Sequence, residues 1–204
     1  MLEHIPAWLG NAMSGLRAGT DKLAIVQLGE NFETLDLTSP AFAHEARLPP
    51  RFTADGEGVS PPLVWSEPPA GTERMVLIVE DADAPAPQPL VHAIVWGLEA
   101  DAGRLAEGAI TADGEGDGTV DVGRNSYLRE GWLPPDPPSG HGEHRYAFQV
   151  FAIGAGAGEV GTTPGRSAVI EAITGHVLAA GLLIGTYSRE EEAPVGPVGM
   201  ASPA

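Results

Sequence analysis

The chain has no cysteine and few basic residues, and both shortages exclude classes of function. Without cysteine there can be no disulfide, no thiolate metal site and no cysteine nucleophile. Only 11 Lys and Arg stand against 28 Asp and Glu, which gives a net charge of −17. Such a field repels phosphate backbones and anionic lipid surfaces, so we expect neither nucleic-acid binding nor membrane insertion.

Long hydrophobic runs are also missing. No stretch approaches the roughly 18 apolar residues of a membrane-spanning helix, and the first residues lack the basic and apolar regions of a secretion signal. We therefore expect a cytoplasmic protein. With 204 residues, 27 glycines and 19 prolines, the chain fits one domain of short strands and shaped loops.

The first 30 residues are predicted to form an extension that contains an amphipathic helix. Apolar residues recur there at the spacing of one helix face: Ile5, Trp8, Leu9, Ala12, Met13 and Leu16. This face is expected to pack on the main domain or on a partner subunit, which leaves a homodimer open. The polar face is not rich in Lys or Arg, so a membrane-surface helix is not expected.

Three apolar runs predict central strands of a sheet that is covered on both faces, because neither face of any run is polar. These runs are Met75–Val79, Val91–Leu98 and Tyr146–Ile153. Two shorter runs, Leu23–Leu28 and Leu35–Leu37, also look like strands. The sequence therefore predicts a mainly β domain over residues 31–188.

One helix is predicted in the main domain, over Ser167–Leu183. Its apolar face would consist of Ile170, Ile173, Thr174, Val177, Leu178 and Leu182. Residues 189–204, with three glutamates followed by Pro, Gly and Ala, are predicted to be a disordered tail. Asp113–Gly118 resembles a calcium loop, but the glutamate that should follow its glycine is missing, so calcium is not expected.

Ionisable residues stand at the ends of the predicted strands. Asp81 and Asp83 follow the first run and would face the same way in an extended chain, while Pro85 ends the strand. His92 is the one ionisable residue of the second run, where a lone histidine is more often a core residue than a ligand contact. The stretch Pro137–Tyr146 brings two histidines, an arginine and a tyrosine to the start of the third run.

These residues give no clear catalytic or metal motif. Asp81, His92, His141 and His144 could supply zinc ligands, but their spacing matches no zinc motif. The candidate nucleophiles Ser60 and Ser126 lie outside a Gly-x-Ser-x-Gly turn. Imidazoles, a carboxylate and a phenol without a nucleophile or metal are typical of phosphate or carboxylate recognition. We therefore expect no catalytic residue, no metal and no cofactor.

Together these motifs resemble the phosphatidylethanolamine-binding protein family, also called the Raf-kinase-inhibitor-like family, and its bacterial branch in particular. The resemblance covers roughly residues 37–188. It rests on Leu37–Phe42, Gly58–Trp65, Pro69–Thr72, Asp81–Pro85, Val91–His92, Gly123–Tyr127, Gly140–Tyr146 and Gly185–Tyr187. The Asp-x-Asp-Ala-Pro and Gly-His-Gly-x-His-Arg-Tyr motifs at this separation make it specific.

The resemblance implies two antiparallel β-sheets, a C-terminal α-helix and a small anion-binding pocket. By position, the residues that would bind the ligand are Asp81, His92, His144 and Tyr146. The residues that would form the pocket rim or the scaffold are Asp83, Pro85, Gly140, His141 and Arg145, with a buried pair of Asp83 and Arg145 as one hypothesis.

Three positions depart from the family pattern. Ala82 replaces the usual proline between the two aspartates and is expected to loosen the motif, and Ala93 replaces a bulky aromatic residue and is expected to widen the pocket. Glu143 replaces a common proline and would add negative charge beside the anion site. Anion affinity is therefore expected to be weak, which leaves a neutral or zwitterionic ligand open.

The leading hypothesis is a non-catalytic protein that binds a small phosphate-like or zwitterionic ligand and has a regulatory role. Inhibition of a protein kinase or protease through a surface is the alternative that the family's name suggests. A hydrolase that uses a metal or His144 is the third hypothesis.

Overall fold

The computed structural model describes residues 12–112 and 120–189. Several predicted features therefore lie outside the described residues: Ile5, Trp8 and Leu9 of the N-terminal helix, the loop Asp113–Gly118, and the tail beyond Arg189.

Ten strands and two α-helices lie wholly within the described part of the chain. The strands are β1 (Glu33–Thr34), β2 (Leu37–Thr38), β3 (Ala46–Arg47), β4 (Leu63–Trp65), β5 (Thr72–Asp81), β6 (Leu90–Leu98), β7 (Gly103–Leu105), β8 (Asp121–Val122), β9 (His144–Gly154) and β10 (Val177–Tyr187). The helices are α1 (Ala24–Gln27) and α2 (Arg166–Ile173), and two 3₁₀ turns cover Thr20–Lys22 and Pro50–Phe52.

The strands form two sheets. The large sheet has the order β1-β10-β9-β5-β6-β8, and β3 also pairs with β10. Each long strand is antiparallel to its neighbours among the long strands, whereas the two-residue strands β1 and β3 run parallel to β10. The small sheet has the antiparallel order β2-β4-β7. The mainly β architecture with two sheets is therefore confirmed.

Both faces of the large sheet are covered, as the continuous apolar runs predict. On β5, Met75 and Leu77 belong to a core shared with Leu63 and Trp65 of the small sheet. Val76, between them on the strand, faces the other side and packs in a second core with Val169 and Ile173 of α2. Alternate residues thus enter different cores, and neither face of the strand meets water.

The N-terminal extension is bonded to the large sheet through a buried carboxylate. Glu80 of β5 is fully buried; it accepts a hydrogen bond from the backbone N–H of Ala24 at 2.8 Å and forms an ion pair with Arg166. The N–H of Ile25 donates to the side chain of Gln149 at 2.8 Å. Residues 20–27 therefore pack as part of the domain.

The predicted helix Ser167–Leu183 is wrong beyond Ile173. Helix α2 ends there, Gly175 takes a positive φ of 81°, and Val177–Tyr187 forms β10. This strand pairs with β9 along its whole length and with β1 and β3 on its other side. Its alanines and leucines are compatible with the periodicity of a helix and with that of a strand, and pairing with the neighbouring strands determines that the segment is a strand. A C-terminal helix is present, but it is shorter than predicted and precedes the last strand.

Other element boundaries in the structure also differ from those predicted from the sequence. Leu23–Leu28, predicted as a strand, contains α1. Ala12 and Met13 are helical as predicted, but Leu16 is past the helix and 60% exposed. Arg189, predicted as the start of the tail, is held by ion pairs with Asp55 and Asp136. Within the described ranges, no helix has the length and apolar character needed to cross a membrane.

Candidate functional site

The register of the large sheet brings the polar strand ends together. Asp81, the last residue of β5, pairs with Leu90 of β6 and with Tyr146 of β9. His92 lies two residues into β6, and His144 is the first residue of β9. The three segments that the sequence singles out therefore meet at one edge of the sheet.

His92 occupies a β-bulge. Val79 pairs with Ala93 and the next residue, Glu80, pairs with Val91, so His92 is an extra residue without a partner on β5. A bulge turns one side chain away from the regular alternation of the strand. The imidazole of His92 thereby reaches the site while the residues on either side enter the two cores.

The hydrogen bonding of His92 leaves one nitrogen as an acceptor. Its Nδ1 lies 2.6 Å from the carbonyl oxygen of Leu133 and donates to it, because a carbonyl oxygen can only accept. The other nitrogen, Nε2, is buried and has no partner among the described residues. Burial lowers the pKa of His92, although the nearby Asp81 carboxylate opposes this. The neutral ring thus presents a lone pair on Nε2.

His144 belongs to a buried chain of hydrogen bonds. Its Nδ1 lies 2.7 Å from Oδ2 of Asp81, and its Nε2 lies 2.7 Å from Nδ1 of His141. The Nε2 of His141 lies 3.0 Å from the carbonyl oxygen of Met13 and 3.2 Å from that of Leu16. Both nitrogens of His144 are therefore engaged within the protein. His141, expected on the pocket rim, lies behind His144.

Tyr146 lies beneath the two histidines. Its ring is 5.1 Å from the His92 ring in an edge-on arrangement and stacks on the His144 ring at 6.4 Å. The hydroxyl is buried without a partner among the described residues. Burial, and then the charge of Asp81, raise the pKa of Tyr146 well above its usual value, so the phenol stays protonated.

A cavity of about 790 Å³ opens over these residues. Asp81, His92 and His144 line it, but Tyr146 is not among the lining residues. The other walls come from the Asp81–Leu90 turn, including Pro85, and from residues 125–138. The volume falls within the range of small-molecule sites.

Sequence reasoning missed much of this wall. Tyr127, Arg129, Trp132 and Asp136 all line the cavity. The available signal was a tryptophan that stands just ahead of Pro134 and Pro135 in a loop. A large aromatic residue held by prolines in an irregular segment is more typical of a loop that lines a binding site than of a loop that only connects two strands.

Asp83 faces away from Asp81. The chain turns after Asp81, whose Oδ1 accepts the N–H of Asp83 at 2.8 Å, so the extended geometry expected from the sequence is wrong here. Asp83 is fully buried and receives two hydrogen bonds of 2.7 Å from the Arg145 side chain and an ion pair of 2.8 Å from Arg17. Burial alone would raise the pKa of Asp83, but these arginines outweigh it and bring the pKa to about 2.

The family departures have other consequences than expected. The N–H of Ala82, which a proline would lack, donates to the carbonyl of Arg145 at 3.0 Å and ties the turn to β9. Ala93 is buried in the core and does not line the cavity. Glu143 is exposed and lines a different groove. Gly140 takes a positive φ of 78° ahead of His141 and does not line the cavity either.

The candidate nucleophiles have structural roles. Ser126 Oγ accepts the N–H of Val91 at 2.8 Å, and Ser60 Oγ accepts the N–H of Ile110 at 3.2 Å. Within the described residues, no group of three His, Asp or Glu side chains is arranged to hold a metal ion.

Comparison with known proteins points to one family. The family model described as phosphatidylethanolamine-binding protein matches residues 38–188. A UPF0098 protein of Methanothermobacter thermautotrophicus is 37% identical over 157 residues, which are 76% of this chain and 99% of that protein. A UPF0098 protein of Chlamydia trachomatis is 34% identical over 161 residues, which are 76% of this chain and all of the relative.

Two solved structures share the fold. The phosphatidylethanolamine-binding protein homolog CT736 of Chlamydia trachomatis superposes with a TM-score of 0.68 at 32% identity, over 78% of this chain and 99% of that chain. YbcL of Escherichia coli, described as a member of the mammalian family, gives a TM-score of 0.69 at 26% identity, over 76% of this chain and 98% of that chain.

Proposed function

Because the chain belongs to the phosphatidylethanolamine-binding protein family, we propose that it binds a small ligand with a phosphate-like or zwitterionic head group, without catalysis, in the cavity beside His92. The observation that carries this proposal is the buried Nε2 of the cavity-lining His92, an acceptor with no partner among the described residues. Such an atom costs free energy in the unliganded protein, and a ligand that donates a hydrogen bond removes that cost.

The hydrogen-bonding groups of the site favour a ligand that carries a proton. Nε2 of His92 can only accept a hydrogen bond, and the Asp81 carboxylate, already bonded to His144 and to the N–H of Asp83, can also only accept. The phenol of Tyr146, buried beneath the two histidines and outside the cavity wall, is the proposed donor to a head group seated between them. A fully ionised phosphate offers acceptors only and would face the lone pair of His92. A phosphate monoester in its singly protonated form offers both an O–H donor and acceptor oxygens. We therefore propose that the head group binds together with one proton.

Recognition fits the site better than hydrolysis. His144 has both ring nitrogens engaged, by Asp81 and His141, and so has no lone pair for a general base. The hydroxyls of Ser60 and Ser126 already accept backbone hydrogen bonds. His92 retains a lone pair, but a base without a positioned nucleophile has no substrate group to activate.

The test is a titration of the full chain with inorganic phosphate and with phosphorylethanolamine, followed by NMR of the histidine side chains. We expect saturable shifts of the His92 ring nitrogen signals. The variant His92→Phe, which keeps an aromatic ring but removes the acceptor, should bind phosphate at least about tenfold more weakly.

His176 provides a matched control. It lies between α2 and β10, where its Nδ1 donates to the carbonyl of Ala155 at 2.9 Å, and it does not line the cavity. His176→Phe should leave phosphate binding unchanged. If neither compound perturbs His92 at any concentration, or if both variants weaken binding equally, the proposed ligand class is wrong.

A further inference from the structure

A segment that precedes the family domain reaches the site from behind. The family model begins at residue 38, yet the carbonyl oxygens of Met13 and Leu16 lie 3.0 Å and 3.2 Å from Nε2 of His141. The adjacent Arg17 donates to the carbonyls of His141 and Glu143 and forms an ion pair with Asp83. The N–H of Ala18 donates to the carbonyl of Ala84 at 2.9 Å. Residues 13–18, which we call the strap, are therefore bonded both to the turn that follows β5 and to the segment that precedes β9.

The number of protons in the buried chain follows from its partners. Three hydrogen-bonded links join the strap carbonyls, His141, His144 and Asp81, and each link needs one proton. A carbonyl oxygen and an ionised carboxylate bring none. Two neutral imidazoles bring only two. The third proton makes one imidazole a cation, and the charges of the two rings and Asp81 then sum to zero.

The strap is what requires the third proton. With two protons, His144 can donate to Asp81 and His141 can donate to His144, but Nε2 of His141 then turns a lone pair toward the strap carbonyls. Two acceptors about 3 Å apart repel one another in a buried site. Water in place of those carbonyls could donate to Nε2 and would make the two-proton state stable.

We propose that the strap, acting through His141, keeps His144 as an imidazolium paired with Asp81, so that the ligand meets a site floor without net negative charge. This deepens the proposed function, because it sets the charge that the head group encounters. His141 is a positioning residue: it does not line the cavity and acts through His144.

The position of the third proton is set by the surroundings. Burial lowers the pKa of His141, and the neighbouring His144 and Arg17 lower it further. His141 is therefore the neutral ring of the pair, and the positive charge rests on His144 next to the carboxylate. The titratable or charged groups around the two rings are Asp81, Asp83, His92, Tyr146 and Arg17.

The experiment measures the protonation of the imidazole nitrogens by NMR in the full chain, with no ligand added. At pH 7.5, a pH of about one unit above the ordinary histidine value, both nitrogens of His144 should carry protons. The variant Arg17→Ala/Ala18→Pro removes the Arg17 contacts and one backbone N–H, and so frees the strap while both histidines stay in place. In it, at the same pH, His144 should carry a proton on Nδ1 only and accept the hydrogen bond of His141 at Nε2.

Arg104→Ala, a change at an arginine of the small sheet, is the control and should leave both protons on His144. A singly protonated His144 at pH 7.5 in the unaltered protein overturns the proposal, and this measurement does not depend on any variant folding. A doubly protonated His144 at pH 7.5 in the folded strap variant overturns it as well. Because no ligand is added, this test is independent of the phosphate titration. A charged His144 with no phosphate binding would overturn the proposed function alone, and phosphate binding with a neutral His144 would overturn this inference alone.

Discussion

Nδ1 of His92 donates to the carbonyl oxygen of Leu133 at 2.6 Å, and this bond fixes which nitrogen remains as an acceptor. The carbonyl belongs to the loop that also supplies Trp132 and Pro134 to the wall. Loop and strand are thus joined at a buried histidine whose second nitrogen has no partner among the described residues. The tautomer that this bond imposes is the physical basis of the proposed ligand preference.

Phosphate binding should weaken as the pH rises. Burial lowers the pKa of His92, so the ring is neutral at pH 7 and cannot supply the proton that binding needs. Above about pH 6 phosphate esters lose their second proton, and binding must then take up one proton from solution. Affinity should fall by up to about tenfold per pH unit above this value and level off below it. Calorimetry above about pH 6, in two buffers of different ionisation enthalpy, would count the protons taken up on binding. A count of zero in that range contradicts the mechanism.

Tyr146→Phe should weaken binding without destabilising the protein. The buried hydroxyl has no partner among the described residues, so its removal should leave the free energy of unfolding unchanged or raise it by about 1 kcal/mol. Tyr146 lies beneath the cavity-lining His92 and His144 and outside the wall itself, and its phenol is the proposed donor to a head group seated between them. Phosphate affinity should therefore fall about tenfold. Thermal unfolding and the phosphate titration give the two values.

Tyr187→Phe is the matched control for that variant. The Tyr187 hydroxyl donates to Asp55 at 2.9 Å, whereas the Tyr146 ring packs against the cavity-lining His92 and His144. Here we expect the opposite pattern, with a loss of about 1 kcal/mol in stability and no change in phosphate affinity. If Tyr146→Phe behaves like Tyr187→Phe, Tyr146 is a structural residue.

The central strands could be predicted from the sequence because burial on both faces leaves continuous apolar runs. The same reasoning failed at Val177–Tyr187, where alanine, leucine and glycine satisfy helix and strand periods alike and only the partners β1, β3 and β9 decide. The proximity of Asp81, His92 and His144 could be predicted because ionisable residues at strand ends are conspicuous beside apolar neighbours.

The chemistry of the site was beyond the sequence. Its hydrogen-bonding state depends on carbonyl groups of Met13, Leu16 and Leu133, and every residue type carries a carbonyl, so no pattern marks them. The position of Glu143 also depends on a detail of the turn: the side chain leaves toward the outer groove while the next residue, His144, enters the site.

Glu80→Gln should destabilise the protein and loosen the N-terminal extension. The carboxylate is fully buried, where it accepts from Ala24 and Gln149 at 2.8 Å and pairs with Arg166. Removal of one partner of a buried pair costs about 3–5 kcal/mol. Urea unfolding measures the loss, and hydrogen exchange at Ala24 should accelerate.

The exposed Glu73 at the start of the same strand is the control, and Glu73→Gln should change neither value. A cost for Glu80→Gln as small as that for Glu73→Gln would mean that the buried carboxylate does not hold the extension to the sheet.

Asp83 should make the protein sensitive to acid between about pH 4 and pH 2. Its pKa falls from the ordinary 3.8 to about 2 in the folded protein, so the folded state holds fewer protons on this group than the unfolded state in that window. The stabilisation is therefore complete above the unfolded value, about 2 kcal/mol in size, and is lost as the pH falls toward 2. Asp83→Asn should lower stability at pH 7 by about 2–3 kcal/mol and abolish this part of the pH dependence.

Urea unfolding at a series of pH values checks both effects, with Asp101→Asn, a change at an exposed aspartate, as the control.

Asp83 has two arginine partners, so the loss of one leaves it paired with the other. Arg145→Gln leaves Asp83 with its ion pair to Arg17, so it should raise the pKa of Asp83 and narrow the acid window without removing it. A variant Asp83→Asn with the same acid profile as the unaltered protein would show that the buried pair contributes nothing to the pH dependence, and the acid sensitivity would then have to come from other carboxylates.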